Sequence, residues 1–250
     1  MGGRALLVTH RPAAWHAATV RSVSRETASA RRIEFEVPTW PGNDAGAHLD
    51  VRLTAPDGYQ ASRSYSIASS GDSTRVVLAV DEVPNGEVSP FLVHELQPGD
   101  QVEIHGPLGA YFVWTPGDER PVQLIAGGSG VVPLYAMAEL HDREQDSTPF
   151  RLLYSVRTPD DRFFASELEQ IAARGRLEAS YVYTRAVPAG WHSAPGRVTR
   201  DALAAATWPV ERRPRIYVCG PTPFVETVAD WLTELGHEPR AIRTERFGGG

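Results

Sequence analysis

Leu124-Ile125-Ala126-Gly127-Gly128-Ser129-Gly130-Val131-Val132-Pro133 decides the fold of this 250-residue chain. An apolar run enters a glycine-rich turn, and the turn opens straight into the apolar stretch 131–141. A buried strand feeding a helix in this way is the opening unit of a parallel α/β layer. Glycines let the backbone approach a diphosphate, and a helix N-terminus offers free N–H groups and a favourable dipole. The same turn with no ligand is a tight strand-to-helix connection, so the motif alone leaves both readings open. It is not the six-position Gly-x-Gly-x-x-Gly fingerprint, because Pro133 stands where the third glycine would be.

Outward from this turn, the rest of the second half keeps the same rhythm. Strands are expected over residues 122–126, 150–156, 179–184, 215–219 and 241–244, with helices over 131–141, 163–174, 199–206 and 224–235. Gly236 is a good C-cap for the last helix. Alternating strands and helices predict a parallel sheet with right-handed crossovers. Toward the N-terminus the rhythm differs. Short β-like runs at 15–23, 32–37, 48–54, 64–68, 75–83 and 101–105 are separated by turns such as Pro56-Asp57-Gly58 and Pro84-Asn85-Gly86. Six short strands predict a closed or nearly closed antiparallel barrel, interrupted by one helix over 89–96. The fold class is therefore β plus α/β: a six-stranded antiparallel barrel over 12–115 and a Rossmann-like parallel domain over 120–247. The linker falls at 115–120.

Composition excludes several chemistries. All 25 basic residues are arginine. Without lysine there is no Schiff-base enzyme and no Walker-type P-loop. A single cysteine, Cys219, excludes cysteine-held iron–sulfur clusters and intramolecular disulfides, and suits a reducing cytoplasm. The apolar stretch at 5–8 is too short for a signal core or a membrane span. A net charge of −6 argues against a nucleic-acid surface.

Several side chains carry candidate chemistry. Tyr217-Val218-Cys219-Gly220-Pro221 ends a strand at the carboxyl edge, where ligands bind in open α/β sheets. Cys219 reads equally as a small buried hydrophobe. Arg157, Arg185 and Arg197 follow strands of this half, and together they suit a phosphate, although each alone reads as a solvated arginine. In the first half, Arg63-Ser64-Tyr65-Ser66-Ile67 groups a phosphate-binding fork, a stacking ring and a hydroxyl, or is a plain barrel strand. Gly86-Glu87-Val88-Ser89 leads into the one helix of this half, and Gly106-Pro107-Leu108-Gly109 turns before the linker.

In this order, these segments resemble the ferredoxin–NADP reductase superfamily over about residues 15–247. Arg63-x-Tyr65-Ser66 resembles its flavin motif, Gly86-x-x-Ser89 its flavin diphosphate helix, and Gly106-Pro107-x-Gly109 the turn before its linker. The loop 127–133 resembles its nicotinamide diphosphate loop, with Ser129 where Thr is common, and Cys219-Gly220-Pro221 its nicotinamide-side motif. The resemblance implies FAD and NADPH or NADH as cofactors. Tyr65 would stack on the isoalloxazine, Ser66 would hydrogen-bond near flavin N5, and Ile67 would be a further cofactor-binding position. Arg63 and the backbone around Gly86, Val88 and Ser89 would hold the FAD diphosphate. Gly127, Gly128, Ser129 and Gly130 would take the second diphosphate, flanked by Gly220 and Pro221. Tyr65, Ser66 and Cys219 would be the catalytic residues, Cys219 shaping the geometry at nicotinamide C4 rather than attacking. Arg185 and Arg197, assisted by Ser155 and Arg157, resemble a 2′-phosphate site and lean the reading to NADPH. Asp160 and Asp161 oppose it. Phe247, in the tail Thr244-Glu245-Arg246-Phe247, would cover the flavin ring, although plant-type members end in Tyr there and this chain runs on to Gly250.

The implied activity is hydride transfer from NAD(P)H to flavin, then single electrons to a separate acceptor: a ferredoxin, a haem protein or an oxygenase component. The chain reads as a stand-alone reductase core with no ferredoxin domain, no metal, no nucleic-acid or membrane partner, and as a monomer. The rival reading is a non-autonomous electron-transfer or nucleotide-binding regulatory subunit of a larger complex.

Overall fold

The computed structural model describes residues 13–117 and 119–248. Residues 5–8, Asp118 and the last two glycines, on which parts of the reading above fall, lie outside them.

The first half is one antiparallel sheet built from β1 (Ala14–Arg25), β2 (Ala30–Glu36), β3 (His48–Thr54), β4 (Gln60–Ser66), β5 (Arg75–Asp81) and β6 (Gln101–Leu108). Its strand order is β4-β3-β6-β1-β2-β5. A bridge between Ile67 and Leu78 brings the end of β4 onto β5, and Ala68 N–H donates to Val77 O at 2.8 Å. The sheet thus curls nearly shut. Period-two side chains such as Ile33, Phe35, Leu49, Val51, Leu78 and Ile104 fill its inside. Helix α1 (Ser89–His94) adds Leu92 and Val93 to that core.

All six expected strands are present, with one shifted. β4 starts at Gln60 rather than residue 64, because Gln60 pairs with Thr54 across the Pro56-Asp57-Gly58 turn. Its first residues are polar and mostly exposed, so pairing rather than hydrophobicity makes them strand.

The second half is a parallel sheet of order β11-β10-β7-β8-β9. Its strands are β7 (Val122–Gly127), β8 (Phe150–Val156), β9 (Glu178–Tyr183), β10 (Arg215–Pro221) and β11 (Ile242–Phe247). Every residue of central β7 is buried, as a strand covered on both faces requires. The helices are α2 (Val131–Arg143), α3 (Ala165–Ala173), α4 (Arg200–Ala206) and α5 (Thr222–Glu234). One sheet face packs Ile125, Val218, Val225 and Leu232 into a core with α4 and α5. The other face packs Leu124, Tyr217 and Cys219 with α2 and α3, and this core continues into barrel residues Ala30, Ala45 and Ala79. Trp114, fully buried, lies in that shared core.

Of the boundaries that differ from expectation, three have a clear physical cause. α3 begins at Ala165 because Phe164 takes a left-handed conformation, φ 52°. α5 begins two residues early, with Pro223 in its first turn, where a missing N–H costs nothing. β11 runs on to Phe247 because it pairs with β10 along its whole length, Pro221 opposite Phe247.

Candidate active site

The glycine-rich turn does what its composition allows. Gly128–Gly130 form one 3₁₀ turn between β7 and α2, with Gly128 at φ 57°. A Cβ on Gly130 would lie 2.3 Å from Cys219 O, and one on Gly127 would lie 2.8 Å from the Phe224 ring. Two strand ends, β7 and β10, therefore meet backbone to backbone, which only glycine permits.

Beside this meeting point is a cleft of about 250 Å³ at the carboxyl edge of the parallel sheet. Gly127, Gly128 and Ser129 line it, with Ser155 of β8, Arg157 after β8 and Thr184 after β9. Pro221, Phe224 and Phe247 close one side, and Thr27, Ser29 and Asp81 of the barrel the other. Arg185 N–H donates to Arg157 O at 2.9 Å, and Gly196 N–H to Tyr183 O at 2.9 Å, which brings Arg185 beside Arg157 and ties the loop carrying Arg197 to β9. The side chains of Arg157, Arg185 and Arg197 are exposed, and none meets a carboxylate among the described residues. Asp161 lines the cleft and accepts a 2.7 Å bond from Thr158 Oγ1; Asp160 is exposed and does not line it.

On the barrel, Arg63 and the start of α1 come together through Glu87. Arg63 Nη2 lies 2.6 Å from Glu87 Oε2, and Tyr59 donates its hydroxyl to Oε1 at 2.7 Å. The Tyr59 bond, then Arg63, holds the Glu87 carboxyl below its usual range. Ser89 is buried and its hydroxyl accepts Val83 N–H at 3.0 Å, so only its backbone faces outward chemistry. Glycine suits position 86, since a Cβ there would lie 2.9 Å from the backbone oxygen of Val83. Val88 and Ile67 are fully buried in the barrel core. The Ile67 side chain, alternating with Ser66, points inward, so a cofactor contact at this position falls to its backbone. Its N–H is taken by Ala47 O at 2.9 Å. Tyr65 is half-buried, and burial pushes its phenol above the usual range, so it stays neutral.

Four residues form one chain of contacts between the two halves. Ser66 pairs with His48 across β4 and β3. His48 Nδ1 lies 3.4 Å from Glu245 Oε1 on β11. Glu245 stands in register beside Cys219 on β10. Cys219 is 1% exposed, and burial, then the Glu245 charge, pushes its thiol well above the usual range. It is not a thiolate nucleophile at neutral pH. His48 Nδ1 and Glu245 Oε2 are buried without a hydrogen-bond partner. Buried orphan polar atoms point to a missing partner group.

Glu245 and His48 were not among the expected site residues. The sequence signal for Glu245 was period two in the tail, which puts it on the same strand face as Phe247. His48 carried no local signal. The structure places Phe247, expected over the flavin ring, on the cleft with Gly127 and Phe224.

Residues 17–113 match the family model of an oxidoreductase FAD-binding domain, and residues 124–230 that of an oxidoreductase NAD-binding domain. A barrel and a parallel sheet that face one cleft across these two domains define a flavin- and nicotinamide-binding oxidoreductase fold. The chain belongs to the ferredoxin–NADP reductase superfamily. NADH-cytochrome b5 reductase 1 of Candida albicans is 30% identical over 201 residues, 79% of this chain and 67% of that protein. The toluate 1,2-dioxygenase electron transfer component of Pseudomonas putida is 32% identical over 199 residues, 79% and 57% of the two chains. A cytochrome P450 reductase of Amycolatopsis is 27% identical with a TM-score of 0.82, over 94% of this chain and 70% of that one. The chain spans 64 to 68% of the length of the cytochrome b5 reductases it matches, and 56 to 58% of the oxygenase components. Among the described residues no helix is long and apolar enough to cross a membrane.

Proposed function

We propose that this chain oxidises NAD(P)H through FAD and passes the electrons to a separate one-electron protein, a ferredoxin, a haem protein or an oxygenase component. The observation that carries the reading is the junction of Ser66, His48, Glu245 and Cys219, with orphan polar atoms of His48 and Glu245 buried between the two halves. The residues present fit both groups. Tyr65 offers a neutral ring face, Ser66 a hydroxyl, and Arg63 with the backbone at Val88 and Ser89 donors for a diphosphate. The backbone at Gly127, Gly128 and Ser129 lines the cleft for the second diphosphate. FAD held by the barrel residues would supply the redox chemistry, accepting a hydride equivalent and releasing electrons singly. The protein supplies alignment: Cys219 and Glu245 shape one side of the junction, and Phe224 and Phe247 line the cleft with apolar surface.

NADPH is the proposed donor, because Arg157, Arg185 and Arg197 bring uncompensated positive charge to the sheet edge. A second reading, NADH, is favoured by Asp161 on the cleft wall, since a carboxylate there suits a ribose 2′-hydroxyl. The relatives named for oxygenases and cytochrome b5 support the acceptor class. The test is a visible spectrum of the purified chain, followed by anaerobic NADPH and NADH in separate cuvettes. A two-banded flavin spectrum that bleaches is the expected result, faster with NADPH. A protein that stays colourless after incubation with FAD ends the proposal.

A further inference from the structure

The barrel and the α/β half are joined by more than a shared apolar core. In the β1–β2 turn the Glu26 side chain is 4% exposed, and its Oε1 accepts Phe164 N–H across the junction at 2.5 Å. Arg32 of β2 donates from Nε to Glu26 Oε2 at 2.7 Å and from Nη1 to Glu167 of α3 at 2.5 Å. Its guanidinium also lies 4.7 Å from the Phe164 ring centroid, and that ring stacks on Tyr135 of α2 at 3.9 Å. Partial burial works against the Arg32 charge, yet the two carboxylates raise its pKa above the usual value. Glu167 is held below its usual range by Arg32, despite its own partial burial.

Two further facts tie this cluster to the cleft. Phe164 is a non-glycine residue in the left-handed region, a conformation that persists only where its surroundings over-determine it. Thr27 and Phe163, the chain neighbours of the bonded pair Glu26 and Phe164, both line the cleft, one from each half. Any slip of the Glu26–Phe164 bond therefore moves a cleft wall directly.

We propose that Glu26, Arg32 and Glu167 form an interdomain clamp that sets the width of the cleft and so positions a nicotinamide nucleotide for reaction. The inference rests on the NAD(P)H reading of that cleft. Arg32 is the positioning residue. Its planar fork reaches a carboxylate of the barrel and one of the α/β half at once, which the compact ammonium of lysine does not reproduce. None of the three side chains belongs to the proposed flavin motif, so flavin binding and cleft geometry separate cleanly.

The test uses the FAD-loaded chain with Arg32→Lys, Glu167→Gln and Glu167→Ala, reduced anaerobically by NADPH and by NADH in a stopped-flow instrument. Expected are unchanged FAD content and oxidised spectrum, with the limiting flavin-reduction rate lowered roughly tenfold or more in Arg32→Lys, and to a lesser degree in Glu167→Ala. Glu167→Gln, which keeps an acceptor oxygen, recovers part of the rate. A merely structural role lowers the thermal midpoint and leaves the rate per bound flavin alone. Wild-type rate and apparent affinity in Arg32→Lys and Glu167→Ala overturn the clamp while the NAD(P)H reading stands. A wild-type chain that holds FAD but bleaches with neither nucleotide overturns that reading, and the clamp with it. Should Arg32→Lys fail to fold, the half-exposed Glu167 variants decide the question.

Discussion

Cys219 and Glu245 stand side by side on adjacent parallel strands, in register, with the thiol buried and one carboxylate oxygen left without a partner. A negative charge next to a buried thiol keeps the thiol protonated, since both effects disfavour a thiolate. The pair is thus a neutral, shape-defining sulfur beside an acid with spare hydrogen-bonding capacity, set where the two halves meet.

From that pairing follows an asymmetric effect of substitution. Cys219→Ala removes a sulfur from the junction without touching the barrel motif at Arg63, Tyr65 and Ser66. The expected outcome is a flavin-reduction rate lowered about tenfold or more, with FAD affinity nearly unchanged. Stopped-flow reduction and FAD titration check it, and an unchanged rate would falsify the role given to Cys219.

Glu245→Gln removes the charge and leaves the shape. The Cys219 thiol pKa should then fall toward its burial-only level, because the coulombic push is gone. Thiol alkylation followed against pH in the folded protein measures this, and a curve identical to wild type sinks the coupling. If the orphan oxygen serves the reaction, the reduction rate drops in the same variant.

The three arginines predict a donor-specific loss. Each charge-assisted bond is worth about 1.5–3 kcal/mol, or roughly 10- to 100-fold in affinity. Arg185→Ala and Arg197→Ala should raise KM for NADPH by that order, with KM for NADH little changed. Equal effects on both donors would remove the 2′-phosphate assignment and favour the Asp161 reading.

Gly130 tests the meeting of β7 and β10. An added Cβ would stand 2.3 Å from Cys219 O, backbone that has no room to yield. Overpacking of this kind costs about 1–3 kcal/mol or more, so Gly130→Ala should lower the melting midpoint by several degrees, at roughly 2–4 °C per kcal/mol. A midpoint within a degree of wild type contradicts the close approach.

Acid should destabilise the chain in two stages. Burial lowers His141 and His237 below their ordinary 6.5, so the unfolded chain binds protons that the folded one refuses. Their contribution is present above about pH 6.5 and is lost as pH falls through the folded values. Glu167 and Asp146, also lowered, add stability above their unfolded values that disappears in a more acidic range. Melting midpoints from pH 8 to 4 read both stages, and His141→Leu should flatten the upper one. An upper stage of wild-type depth in that variant assigns it elsewhere.

The glycine-rich turn, the alternation of the barrel strands and the strand–helix rhythm after residue 120 were all legible in the sequence. Each is a local matter, in which φ freedom, period two or period 3.6 is fixed by neighbours along the chain. The loop 127–130, the strand end at Tyr65 and Ser66 and the edge position of Cys219 followed for the same reason. Tertiary structure alone decided the rest. Only strand pairing gave β4 its polar first residues and carried β11 as far as Phe247. Only the packing of one half against the other brought His48 to Glu245 and Glu26 to Phe164, across 197 and 138 positions respectively. No local pattern encodes such pairs, because the free energy that selects them comes from burial and ion pairing between surfaces that exist only after each half has folded.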